Sequence, residues 1–281
     1  MPVSSVGGRA LSGRGSTRSA RTAAGRLLDV LGAFSADHPL LTLSEISRRT
    51  AMPLTTTHRL VGELTEWGAL ERDERGVYRI GLRLLEVASL SPRWQGLREV
   101  ALPFMEDLYE VTHENVQLAV RDGLEVVNVE RIAGRAAVGV FTRVGGRWSL
   151  HATGVGLVLL ANAGPEVQEL ALSAPLKAHT EKTIVDPVRL RRVLAEVRRT
   201  GVAISEGQVT LDALSVAAPI WVPSNEVIAA LSIVVLADRA EPKALIPAVT
   251  AAARAVSRGM GFRGVSAAVR ATDGRARRTG G

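Results

Sequence analysis

The stretch MPLTTTHRLVGELTEWG, Met52 to Gly68, decides how the N-terminal part of the chain is read. Its second half has helical spacing. Yet it opens on Thr55, Thr56 and Thr57, three β-branched residues of poor helix propensity. Projected at 3.6 residues per turn, Thr57, Leu60, Leu64 and Trp67 share one face, with Val61 beside them, and that face is expected to pack inward. Thr55, Thr56, His58, Arg59 and Glu63 are left for the outer surface. Hydroxyls and a guanidinium near a helix N-terminus suit nucleic acid. Hydroxyls and the helix end hold phosphate, and arginine pairs with guanine through two hydrogen bonds.

The flanking sequence supplies the context that such a helix needs. Upstream, Ala24, Leu27, Leu28, Leu31 and Phe34 form a helical stripe, which Asp37-His38-Pro39 breaks. Thr42 precedes LSEISRRT with Glu45 three residues on, a capping-box pattern, and Leu43 and Ile46 supply the inner face of a short second helix. The tripeptide Ala51-Met52-Pro53 is a turn, and Gly68 ends the third helix. Downstream, extended runs at Leu70 to Arg72 and Val77 to Ile80 flank the polar turn Asp73-Glu74-Arg75-Gly76, a β-hairpin signal. Three short helices followed by a hairpin give the order of a winged helix-turn-helix, assigned here to residues 21–81. In it, Arg48 and Arg49 at the end of the second helix, and Arg72, Arg75 and Arg79 in the hairpin, are expected to meet phosphate, with Asp73 and Glu74 opposing at the hairpin tip.

Residues 82–112 read as linker helices. Leu82 to Leu90 restarts helical spacing, Pro92 interrupts it, and Val100, Phe104, Leu108 and Val111 then share a face. From Asn115 the period changes. Two strand-like runs surround Arg121-Asp122-Gly123, and RAAVGVFTRVGGRW adds a strand and a glycine turn. HATGVGLVLLANAG reads as a glycine-rich loop entering a helix. Asp186-Pro187 caps a helix running through Leu190, Leu194 and Val197 to Gly201. Strands follow at ALSVAAPIWV and EVIAALSIVVLA, and Leu245, Val249, Ala253 and Val256 mark a closing helix. This mixture gives an α+β domain with an antiparallel sheet over residues 113–261.

Composition sets the outer bounds. With 281 residues and 46% hydrophobic content the chain can bury a sizeable core, and with 4% aromatics that core is mostly aliphatic. No apolar run reaches the roughly 18 residues of a membrane span and no secretory signal core is present, so a cytoplasmic protein is expected. The absence of cysteine rules out disulfides and thiolate chemistry. The net charge of +7 sits wholly in two tails. Residues 1–20 hold Arg9, Arg14 and Arg18 with no acid, and residues 262–281 hold five arginines against Asp273. Both tails are rich in Gly, Ser and Ala and read as disordered. The body is neutral, so a nucleic-acid reading has to rest on the third helix rather than on the isoelectric point.

An enzyme is not expected. The five histidines show no metal-ligand spacing, GxSxG is absent, and the nearest dinucleotide pattern, GVGLVL, lacks its third glycine. No metal or cofactor follows from the sequence, and His151, beside the glycine run, reads as a loop or packing residue.

Taken together these residues resemble the IclR family of bacterial transcription regulators. RLLDVLGAF and LTLSEISRRTAMPLTTTHRLVGELTEWGALERDERGVYRIGLRLLEVA follow its N-terminal pattern. LHATGVGLVLLA, AHTEKTIVDPVRLRRVLAEVRRTGVAIS, DALSVAAPIW and VIAALSIVVL follow its second half. The resemblance spans residues 21–261. It implies a winged helix-turn-helix joined by a linker helix to a GAF-like α/β effector-binding domain. It also implies a homodimer or homotetramer, a palindromic operator in double-stranded DNA, and a small-molecule effector, often an organic or aromatic acid. The family's ligand loop matches Thr153, Gly154, Val155 and Gly156. A position that is often acidic matches Ser205 or Glu206, and one that is often cysteine matches Ser215. The chain departs from the family at Leu157, where a lysine is common, and at Asp212, where a glycine is expected.

Overall fold

The computed structural model describes residues 22–35, 37–90, 92–133, 142–239 and 241–264. These form two compact units that divide between Pro92 and Arg93. The two expected tails lie largely outside the described residues.

In the first unit, α1 (Ala23–Gly32) starts at Thr22, whose Oγ1 accepts from the Gly25 amide at 3.1 Å. Strand β1 (Leu41–Thr42) leads into α2 (Leu43–Thr50) through a complete capping box: Thr42 Oγ1 accepts from the Glu45 amide, and Glu45 Oε2 accepts from the Thr42 amide at 2.8 Å. Those bonds hold the Glu45 carboxyl below the usual carboxylate range. Ala51, in the left-handed conformation at φ 53°, turns the chain into α3 (Leu54–Glu66). On α3, Thr57, Leu60, Val61 and Leu64 are buried against Val30, Phe34, Ile46 and Tyr78. Three apolar residues depart from the expected stripes. Ala24 is exposed at the start of α1. Trp67 is 51% exposed, with the Arg83 guanidinium 5.7 Å over its ring, and Leu28 is 68% exposed. The apolar face of each helix is wider than the partner surface it meets.

The hairpin has the expected limits, β2 (Leu70–Arg72) and β3 (Val77–Ile80), with Leu70 opposite Ile80 and Arg72 opposite Tyr78. Its tip is an Asx turn: Asp73 Oδ1 accepts from the amides of Arg75 and Val77. Strand β1 adds a third strand, in the order β1-β3-β2. Gly81 follows β3, and its amide donates to the Ala69 carbonyl at 2.8 Å. A Cβ there would stand 2.2 Å from the Gly68 carbonyl oxygen, so only glycine fits. Helix α4 (Leu82–Ser89) closes the unit.

The second unit is built on one antiparallel sheet of six strands. They are β4 (Asn115–Asp122), β5 (Glu125–Ile132), β6 (Arg147–Ser149), β7 (Ala203–Glu206), β8 (Ala213–Trp221) and β9 (Val227–Leu236), in the order β6-β5-β4-β9-β8-β7. On its outer face lie α5 (Pro92–Thr112) and α9 (Pro242–Gly259). On its inner face lie α6 (Gly154–Ala161) and α8 (Pro187–Thr200), beside α7 (Pro165–Ser173). Asp186 caps α8 as its spacing predicts, its carboxylate accepting from the amides of Val188 and Arg189. Helix α5 packs on Leu97, Ala101, Met105 and Leu108, while Val111, expected on the buried face, is 79% exposed. The stretch expected as a linker is thus divided: α4 lies in the first unit, and α5 forms part of the core of the second. Residues 134–141, where one further strand is expected, lie outside the described residues.

Two local features shape the inner side of this unit. The glycine run is not a loop, because Gly154, Val155 and Gly156 are the first turn of α6, with Thr153 as its cap. Strand β5 also carries a bulge. Leu118 faces Glu130 and Ala119 faces Asn128, so Val129 is an extra residue.

Candidate functional site

The outer surface of α3 presents Thr55, His58, Arg59, Gly62 and Glu63, all exposed and spaced as one helical face, while Thr56 is half-buried. Pro53 occupies the cap position and offers no side-chain acceptor, so the first amides of α3 point outward uncapped. The poor start therefore has a local cause. Thr57 turns its hydroxyl back onto the Pro53 carbonyl at 3.1 Å and is fully buried, so its β-branch fills core space. The helix begins at Leu54, so Thr55 lies in its first turn.

The cations around this face differ in what holds them. Arg59 pairs with Glu63 along the helix, and Arg79 pairs with Glu71 across the hairpin at 2.8 Å. Arg72 lies 5.6 Å over the Tyr78 ring. Arg48, Arg49 and Arg75 are exposed and form no close ion pair among the described residues, although the charges of Arg48 and Arg49 act on Glu45. The structure thus brings eight of the nine sequence-selected residues to the exposed surface of one unit, with Thr56 partly covered.

The second unit holds a cavity of about 60 Å³ between the inner face of the sheet and the start of α6. Thr153, Gly154, Val155, Ser205 and Ser215 line it, as the family resemblance implies. Gly156 does not line it. A Cβ there would meet the Leu150 carbonyl oxygen at 2.1 Å, so this glycine serves close packing. Glu206 does not line it either; its carboxylate pairs with Lys182 at 2.9 Å on the surface. Leu157 is fully buried in the inner core, which accounts for an apolar residue there.

The first turn of α6 opens onto this space. Thr153 Oγ1 accepts from the Gly156 amide at 3.0 Å, and the Thr153 carbonyl accepts from the Leu157 amide at 2.8 Å. The Gly154 and Val155 amides have no protein acceptor among the described residues. Two free amides at the positive end of a helix are chemically suited to meet an anion. Among the described residues, no acidic side chain lines the cavity to compete for it.

Several lining residues carry no usable signal in the sequence. Gln117 and Asn128 sit in strands that alternate like any half-exposed strand, and Trp148 and Thr142 flank a glycine turn. Gln208 is set by a neighbouring loop: its Nε2 donates to Ser205 Oγ and its Oε1 accepts from the Ile184 amide, both at 3.1 Å.

His151 is buried beside the cavity wall, its Nε2 3.1 Å from the Lys177 carbonyl oxygen. His179 lies 3.3 Å from Ser149 Oγ, with its ring against Trp148. Burial lowers both histidine pKa values. For His151 the Lys177 bond opposes it, and for His179 the charges of Lys177 and His151 add to it. Between these lowered values and the unfolded value of 6.5, the unfolded chain binds more protons than the folded one. The stability contribution is therefore full above pH 6.5 and is lost as pH falls through the lower folded values. Thermal denaturation should show a falling midpoint from pH 7 to 5, and the His151→Gln variant should fall less. Parallel curves would place the titration elsewhere.

The comparisons with known proteins agree with this geometry. Residues 23–74 match the IclR helix-turn-helix domain, and residues 93–258 match the bacterial transcriptional regulator IclR C-terminal model. The HTH-type transcriptional regulator KipR of Bacillus subtilis is 34% identical over 196 residues, covering 69% of this chain and 78% of KipR. BhcR of Paracoccus denitrificans is 31% identical over 240 residues, 84% of this chain and 86% of BhcR. Among solved structures, an IclR homologue from Microbacterium hydrocarbonoxydans complexed with 4-hydroxybenzoate superposes with a TM-score of 0.82 at 39% identity, covering 85% of this chain and 99% of that one. The relatives are regulators rather than enzymes. With the helix-turn-helix surface in the first unit and the lined cavity in the second, the chain belongs to the IclR family of bacterial transcriptional regulators.

Proposed function

We propose that this protein is an effector-responsive regulator whose effector is a small carboxylic acid, with its carboxylate on the Gly154 and Val155 amides. The observation that carries this is the pair of free amides at the start of α6, facing a cavity with no acidic side chain among its described lining residues. The complex of the Microbacterium hydrocarbonoxydans homologue with 4-hydroxybenzoate supports an aromatic acid of that size. The polar lining argues against a second domain that only oligomerises, because such groups are costly to bury without a ligand to meet them.

On the DNA side, α3 enters the major groove of a palindromic operator. Arg59 reads a base, Thr55, Thr56 and His58 touch backbone or base edges, and Arg48, Arg49, Arg72, Arg75 and Arg79 hold phosphate. The protein acts as a homodimer or homotetramer. Effector binding shifts the population between arrangements of its DNA-binding units.

A thermal-shift screen of small carboxylic acids tests the effector reading. At a hundred times its Kd, an effector stabilises by about 2.7 kcal/mol, which for a unit of this size raises the midpoint by roughly 5–10 °C. Ser215→Trp fills the cavity beside Gly154, so its shift should be smaller. Equal shifts in both proteins would move the site away from this cavity.

A further inference from the structure

Residues 174–186, between α7 and α8, form neither helix nor strand, yet they are tied down at two places. On the β7 side, Thr180 Oγ1 donates to the Gly207 carbonyl at 2.5 Å, and Thr183 Oγ1 donates to the Gln208 carbonyl at 2.6 Å. Gln208 Oε1 accepts from the Ile184 amide, and Lys182 pairs with Glu206. On the β6 side, the Lys177 carbonyl meets His151 Nε2, and the His179 ring meets Ser149 and Trp148. The segment is thus a strap from β6, which carries Trp148, to the end of β7, which carries Ser205 and Gln208. Side chains make most of these ties. Among the described residues, the main-chain bonding of residues 175–185 comes down to the Thr183 amide on the Thr180 carbonyl at 3.3 Å.

The two places differ in chemistry. The β7 side uses hydroxyls, a carboxamide and one ion pair, and the β6 side uses two histidines with Lys177 beside them. His151 is 6% exposed and His179 is half-buried. A carbonyl only accepts, so His151 Nε2 carries the hydrogen and an added proton goes to Nδ1. The charges acting on His179 are those of Lys177 and His151, and among the described residues no carboxylate acts on either ring. Glu206 is held by Lys182, and Glu181 is exposed. A proton gained here makes a covered cation with no counter-charge, which is costly. With the strap lifted, both rings reach water and take the proton freely. Protons therefore bind more tightly to the lifted form and shift the population toward it.

We propose that residues 174–186 are an acid-released strap, docked across the second unit near neutral pH and freed from Ser149 and His151 in acid. The docked form is fully favoured above pH 6.5, the ordinary histidine value, and loses ground as pH falls through the lowered values of the docked rings. The segment leading up to Thr183 then comes away, while Thr183 and Ile184 stay on Gln208. The second unit so gains a response to protons that needs no small molecule. Its consequence for an effector, weaker binding in acid, rests on the cavity reading proposed above. The release of the strap does not.

Hydrogen exchange of the full chain at pH 7.5 and 5.5, with no small molecule present and with intrinsic rates corrected, tests this. The His179 and Thr180 amides, which donate to Thr183 Oγ1 at 3.0 and 2.9 Å, report the docked strap. Peptides covering residues 175–182 should lose protection by about tenfold at the lower pH, while peptides of α8 and β8 keep theirs. The double variant His151→Gln with His179→Gln should stay protected at both pH values, because a glutamine amide still donates to the Lys177 carbonyl and takes no proton. Unchanged protection in wild type overturns the strap. A loss that persists in the double variant overturns the histidines as its cause. A loss shared equally by α8 and β8 is unfolding of the whole unit and overturns the proposal as well. If the double variant fails to fold, His179→Gln alone decides by the same rule.

Discussion

Gly156→Ala should destabilise the second unit by about 3 kcal/mol or more, because an added methyl there has nowhere to go. The new Cβ would stand 2.1 Å from the Leu150 carbonyl oxygen and 2.6 Å from Thr153 Oγ1. Neither is the far end of a flexible side chain. Leu150 belongs to the short 3-10 turn that leads into α6, and Thr153 Oγ1 is already the acceptor for the Gly156 amide. Relief requires either the turn to move or the cap to be lost, and both place the Gly154 and Val155 amides elsewhere. Calorimetry should show the midpoint of the second unit falling by roughly 6–12 °C, with the first unit unchanged. A fall of only a degree or two would mean that the turn yields easily and that the start of α6 is not rigidly set.

Arg59→Ala should weaken binding to a specific operator by about 1–3 kcal/mol, the range for one lost bidentate base contact, and affect nonspecific DNA far less. In the free protein Arg59 pairs with Glu63, so DNA binding has to exchange a carboxylate for a base edge. Both side chains are about half exposed, so the pair itself is weak and the exchange is inexpensive. After Arg59→Ala the Glu63 carboxylate is left facing DNA unneutralised, which adds to the loss. Glu63→Gln should therefore bind DNA more tightly than wild type. Gel-shift titrations at one fixed salt concentration measure all three proteins. Equal operator affinity for wild type and Arg59→Ala would remove Arg59 as the base reader.

Much of this architecture is legible in the sequence wherever local chemistry decides it. The Thr42–Glu45 box, the hairpin around Asp73 to Gly76 and the Asp186-Pro187 start of α8 each depend on residues a few positions apart. Long-range packing is less legible. Periodicity places Trp67 and Leu28 beside buried neighbours but does not reveal where the partner surface ends. On α5 the buried stripe runs through Leu97, Ala101 and Met105, one position round from the larger Val100 and Phe104. The order of packed elements decides that, and no local pattern encodes it. The glycines of α6 read as a loop because two glycines in three residues argue against a helix; packing against Leu150 and Ser215 overrides that propensity. In the cavity, the family resemblance leads to Thr153, Gly154, Val155, Ser205 and Ser215. It gives nothing for Asn128, whose inward aim depends on the order of strands and on one inserted residue.

The seal at Gly81 carries a mechanical consequence. The residue that leaves the hairpin is bonded to Ala69 and pressed against the Gly68 carbonyl, at the point where α3 gives way to β2. The two ends of the wing are thus stitched together at the exit of the helix it accompanies. A reading head closed in this way has no hinge between helix and wing, and it turns as one piece. In the homodimer or homotetramer proposed above, its response to a signal would be expressed as a change of spacing or heading between whole heads, which a ruler laid along the DNA would register and an angle measured inside one head would not.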